Sequence, residues 1–120
     1  MLNLSHKKLI AWQKAIELLP ELYSLIERLP QEEKYNLVSQ MKRAGISVSN
    51  NLAEGSARKS KAEKNRFFEI SRSSLVEIDN CLEASLVLKL LRREDISGVE
   101  LRLEELFKLI SGLISYNNKN

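Results

Sequence analysis

Residues 37–58, LVSQMKRAGISVSNNLAEGSAR, carry two stripes at once. Leu37, Met41, Ala44, Val48 and Leu52 recur at spacings of three and four, which places them on one face of a helix. Beside them Gln40, Arg43, Ser47, Asn51, Glu54 and Arg58 recur at the same period, giving a polar stripe along the same helix. Gly45 and Gly55 leave room for a neighbouring chain to approach closely. With Pro30 and the acidic turn Gln31-Glu32-Glu33 in front of it, this helix is expected over 31–57.

The flanking sequence extends the pattern to four helices. Upstream, Ser5 is a candidate cap, and Leu9, Trp12, Ile16, Leu19, Tyr23 and Ile26 form an apolar stripe over 5–28, with a kink or break expected at Pro20. Downstream, Ser60-Lys61-Ala62-Glu63 reads as a capping box. It opens a third helix over 61–91, whose apolar face is Phe67, Phe68, Leu75, Ile78, Cys81, Leu82 and Leu86. A second box, Ser97-Gly98-Val99-Glu100, starts a helix over 98–115 with the seam Val99, Leu103, Leu106, Ile110 and Leu113. Residues 116–120 are expected to fray. Four helices with short connections predict an all-α, antiparallel up-down-up-down four-helix bundle in a single domain spanning 1–120.

Composition agrees. Four Gly and two Pro in 120 residues leave few turns, and 43% hydrophobic with 29% charged residues is the balance of a chain that collapses on one core. No apolar run reaches the roughly 20 residues needed to cross a bilayer, so no membrane association is expected. A single cysteine, Cys81, and the lack of an export pattern point to the cytoplasm.

The residues offer little for catalysis. His6 is the one histidine, with no Cys-x-x-Cys or His-x-x-x-His spacing to join it, so no metal is expected. No serine has a base in range, and no glycine-rich loop cradles a phosphate, so no cofactor is expected. Glu54 and Glu77 are the carboxylates that acid–base chemistry would need to bring together, and the simpler reading pairs each with an arginine. The chain is therefore read as a non-enzyme that works by binding.

Binding candidates are basic. Nineteen Lys and Arg against 16 Asp and Glu give only +3, with a pI near 9.1. The excess is concentrated, however, at Arg58, Lys59, Lys61, Lys64 and Arg66, around the expected turn between the second and third helices, with Lys42 and Arg43 on the second helix. Such a cluster suits phosphate contacts, and it equally suits a solvated helix surface. Gln40, Ser47, Asn51, Glu54, Arg72 and Glu77 suit polar contacts between helices or between subunits. Trp12, Tyr23 and Tyr35 stand apart from the basic turn and read as amphipathic packing residues.

A family resemblance adds to this reading. Trp12-Gln13, Tyr23, Leu29-Pro30, Glu33, Tyr35, Leu37, Gln40, the string Arg43-Ala44-Gly45-Ile46-Ser47-Val48, then Asn51-Leu52-Ala53-Glu54-Gly55, Arg58, Phe67-Phe68 and Ser73-Ser74-Leu75-Val76-Glu77-Ile78 resemble the four-helix proteins encoded within intervening sequences of 23S ribosomal RNA genes. The chain departs from that pattern at Asn36, Ser49 and Pro20. The family is in turn similar to the accessory protein of diversity-generating retroelements, a basic pentameric barrel that partners a reverse transcriptase and contacts nucleic acid. The resemblance thus implies a homo-oligomer, a pentamer, with RNA or DNA as partner. The alternative it implies is an oligomeric adaptor for a protein such as a reverse transcriptase.

Overall fold

The computed structural model describes residues 1–119, and Asn120 lies outside them. Four α-helices form the bundle: α1 (Ile10–Ile26), α2 (Ser39–Ser56), α3 (Lys61–Val87) and α4 (Arg93–Lys119). Each helix packs on the next in sequence, and α4 closes against α1. Cross-helix contacts show that successive helices run antiparallel. Ser74 meets Ser47 while Lys64 meets Ser56 across α2 and α3, and Lys14 meets Glu105 while Arg28 meets Asp95 across α1 and α4. The fold is an all-α up-down-up-down bundle, and no helix among the described residues is long and apolar enough to cross a membrane.

The stripe that opened the sequence is buried as its spacing requires: Leu37, Met41, Ala44, Val48 and Leu52 all lie in the core. They meet Phe68, Leu75, Ile78, Cys81 and Leu82 of α3 and Val99, Leu103, Leu106 and Ile110 of α4 in one continuous cluster. In α1 the buried face is turned from the expected one. Ala11, Ala15, Leu18, Leu22 and Leu25 are buried, whereas Ile16 is exposed and Trp12, Leu19 and Tyr23 are half-buried. The small residues Ala11 and Ala15 let α1 approach the core closely, and a stripe scored only on large apolar residues misses them.

Several boundaries differ from expectation for local reasons. Ser5 opens a separate 3₁₀ turn (Ser5–Lys8), and α1 begins after Leu9 with no side-chain cap. Pro20 neither breaks nor ends α1: it sits on the exposed side, where water can take the carbonyl it leaves unpaired. Residues 31–38 form a 3₁₀ turn (Gln31–Glu33) and a wider π-helical turn (Lys34–Val38) before the regular α2. The fourth helix starts at Arg93, not at residue 98, because Asp95 reaches back to accept the backbone N–H of Arg92 at 2.9 Å. Ser97 is consequently inside the helix, bonded to the Glu94 carbonyl.

Residues 116–119 are helical instead of frayed. The cause is Asn65, buried at the start of α3, which donates to the Ile114 carbonyl and to Asn118 and accepts from Asn117 at 2.8 Å. This polar knot ties the last turn of α4 to the bundle. The third helix stops at Val87, short of residue 91, where Lys89 adopts φ 61°. There the Lys89 N–H bonds Leu86 and the Leu90 N–H bonds Ser85, which is the Schellman arrangement.

Candidate nucleic-acid interface

The turn between α2 and α3 is closed by its own side chains. Ser60 caps α3 by accepting from the Glu63 N–H at 3.1 Å, and Lys64 donates across the turn to the Ser56 carbonyl at 3.1 Å. Arg58 pairs with Glu54 at 3.0 Å and lays its guanidinium 4.7 Å from the centre of the Phe67 ring, with Arg66 on the same ring at 5.3 Å. The Arg58 Nε is buried and lacks a hydrogen-bond partner. Two of the basic residues singled out in the sequence, Arg58 and Lys64, therefore help build the turn. Lys59, Lys61 and Arg66 are exposed beside it.

Lys42 and Arg43 do not join this cluster. They are exposed on the first half of α2, about 15 residues or roughly 22 Å of helix from Arg58. They line a shallow open groove of about 670 Å³ together with Tyr23, Lys34, Tyr35 and Asn50. The Lys42 ammonium lies 5.3 Å from the Tyr23 ring centre, and that of Lys34 lies 5.5 Å from the Tyr35 ring. This grouping was missed in the sequence because the aromatics were compared only with the α2–α3 turn. The overlooked signal is Lys34-Tyr35 at the entry to α2, eight residues before Lys42.

The polar stripe divides by position. Ser47 accepts from Ser74 of α3 at 2.8 Å and from Asn51 of its own helix at 3.0 Å, so these two serve the α2–α3 seam. Gln40 donates to Asn36 and accepts a weak contact from the Cys81 thiol, whose pKa burial raises and Glu77 raises further. Arg72 bonds Ser111 of α4 at 3.0 Å and lies over Phe107. Glu54 faces out and pairs within its own segment. Glu77 is exposed and, by the antiparallel register, level with Arg43, not with Glu54. The two carboxylates are thus separated by about 16 Å of helix and do not form an acid–base pair.

Charge pairing is uneven over the surface. On the α1 and α4 side, Lys14 pairs with Glu105, Arg28 with Asp95, Arg93 with Glu100, Lys108 with Glu104, and Arg102 with Glu17 and Glu21. On α2, its flanking turns and the start of α3, Lys34, Lys42, Arg43, Lys59 and Arg66 have no carboxylate partner among the described residues, whereas Arg58 pairs with Glu54. A second groove of about 440 Å³ lies between α3 and α4, with Val76, Leu101 and Phe107 in its apolar lining and Asp79, Glu100, Glu104 and Lys108 as its charged residues.

Among known proteins, the family model described as 23S rRNA-intervening sequence protein matches residues 7–112. No curated protein matches the chain.

Proposed function

The chain belongs to the family of 23S rRNA-intervening sequence proteins, and from that premise we propose that it is a non-enzymatic, homo-oligomeric protein of the cytoplasm that associates with RNA or DNA. The observation that carries this reading is the segregation of unpaired cations. Five basic side chains on α2, its flanking turns and the start of α3 lack carboxylate partners among the described residues, while those of α1 and α4 are largely neutralised by their neighbours. Unpaired cations release counterions from a phosphate backbone at little cost, because no internal ion pair has to break first. A net charge of only +3 understates such a surface.

The test is fluorescence anisotropy with labelled RNA and DNA across a salt series. The Lys59→Glu, Lys61→Glu double variant is expected to bind less tightly and to flatten the salt dependence. Unchanged affinity and slope would remove the turn from the interface. Assembly as a pentamer is the other half of the reading, and light scattering measures it: a monomer mass at all concentrations would defeat it.

One observation favours a second reading, an oligomeric adaptor for a protein partner such as a reverse transcriptase. The α3–α4 groove leaves Leu101 70% and Val76 54% exposed, apolar surface of the kind a protein partner removes from water. Nuclease-resistant capture of a single protein, with no nucleic-acid binding, would favour it.

A further inference from the structure

We propose that the groove on the first half of α2 takes single-stranded nucleic acid, stacking a base on Tyr35 and holding phosphates with Lys34, Lys42 and Arg43; this rests on the nucleic-acid reading above. Tyr35 is the starting point. The residue is 88% exposed, although the same π-helical turn buries Leu37 two residues later. The ring contributes nothing to the core. Trp12, by contrast, packs against the core and meets His6 edge-on at 5.0 Å. An aromatic ring left in water has a free face, and its one ring contact among the described residues is the Lys34 ammonium.

Charge gives the second observation. No Asp or Glu lines the groove, and Lys34, Lys42 and Arg43 have no carboxylate partner among the described residues. Glu33, the nearest carboxylate in sequence, accepts from Asn36. Neutral polar groups complete the surface: Asn51 spends its amide hydrogens on Ser47, which leaves its carbonyl oxygen as an acceptor.

Together these features fit a single strand better than a duplex. A duplex hides its base faces in the stack and offers an exposed tyrosine only phosphate, sugar and base edges. An unpaired strand offers base faces at the spacing of its phosphates, so a ring flanked by cations engages both.

Anisotropy with a labelled 12-nucleotide single-stranded RNA, and with the same strand annealed to its complement, tests this. The variants are Tyr35→Ala, Tyr35→Phe, the pair Lys42→Glu with Arg43→Glu, and the turn pair at Lys59 and Lys61, each checked for an unchanged urea midpoint. Tyr35→Ala is expected to weaken single-strand binding about tenfold, the loss of one stacked base, and to leave duplex binding unchanged. Tyr35→Phe retains single-strand affinity, and the Lys42, Arg43 pair weakens it with a reduced salt slope. Equal binding by Tyr35→Ala and wild type overturns the proposal, as does an equal loss for duplex. If the turn pair alone matters, the groove assignment fails and the nucleic-acid reading stands. If wild type binds neither form at low salt, or binds poly-glutamate in preference, both fail.

Discussion

Gly45 and Gly55 look equivalent in the sequence, both small residues inside a helix, yet their surroundings set them apart. A Cβ on Gly55 would sit 2.7 Å from the Phe68 ring and 3.1 Å from the Lys64 carbonyl, a packed aromatic and a backbone atom that cannot both yield. A Cβ on Gly45 would meet chiefly the end of the Leu22 side chain at 2.8 Å, which can turn aside. Gly55→Ala is therefore expected to destabilise by about 1–3 kcal/mol through overpacking. Gly45→Ala should stay within about 1 kcal/mol of wild type, since the helix propensity gained offsets the shift of Leu22. Urea denaturation measures both, and equal costs would show that the two contacts are equally rigid. Glu54 permits a functional test at the same scale: Glu54→Gln releases Arg58 and should raise nucleic-acid affinity a few-fold. A fall would mean that the carboxylate itself touches the ligand. The sequence marked both glycines as points of close approach, but not what stood opposite each. Tyr35 shows the limit most clearly, because amphipathic packing was the natural expectation and only its exposure corrects it.

At the scale of elements, the sequence was legible where a cap is local and misleading where a competing cap stood nearby. Ser60 caps α3 as its capping box implies, so Ser60→Ala should cost about 1 kcal/mol in urea denaturation. The similar string at Ser97 is bypassed because Asp95 engages the Arg92 N–H first, so Ser97→Ala should change stability by less than about 0.5 kcal/mol. The Arg92 N–H, followed by the nearby Arg28 and Arg92 charges, holds the Asp95 carboxyl below its ordinary pKa. A depressed folded-state value adds stability above the ordinary carboxylate range and loses it as pH falls through the lower folded value. The acid limb of a stability-versus-pH curve should accordingly flatten in Asp95→Asn, and an unaltered limb would mean that other carboxylates set it. The end of α3 was invisible for a different reason: its stop is a left-handed Lys89, a position where glycine is the usual signal. Lys89→Gly relieves that backbone and should stabilise by up to about 1 kcal/mol.

For the whole molecule, helix number, order and the buried stripes of α2, α3 and α4 followed from periodicity, because one face of each helix has to leave water. The distribution of charge did not follow, since which cation finds a carboxylate depends on how α4 closes against α1. That closure leaves two basic regions, the groove at Arg43 on α2 and the turn at Arg58 just past its end, about 22 Å apart along the helix axis. The surface between them carries Asn50 and Glu54, and the Glu54 charge is met by Arg58. A stacked strand advances about 3.4 Å per nucleotide, so six or seven nucleotides span the interval. If one strand follows this path, a five-nucleotide RNA reaches a single region, whereas a 12-nucleotide RNA engages both and gains from the effective concentration of its second half. The expected result is a gain well beyond the few-fold rise that extra binding registers supply, and its disappearance when Lys42 and Arg43 are reversed. If affinity instead rises only in proportion to length and the reversal costs both oligonucleotides equally, the two regions bind separate strands.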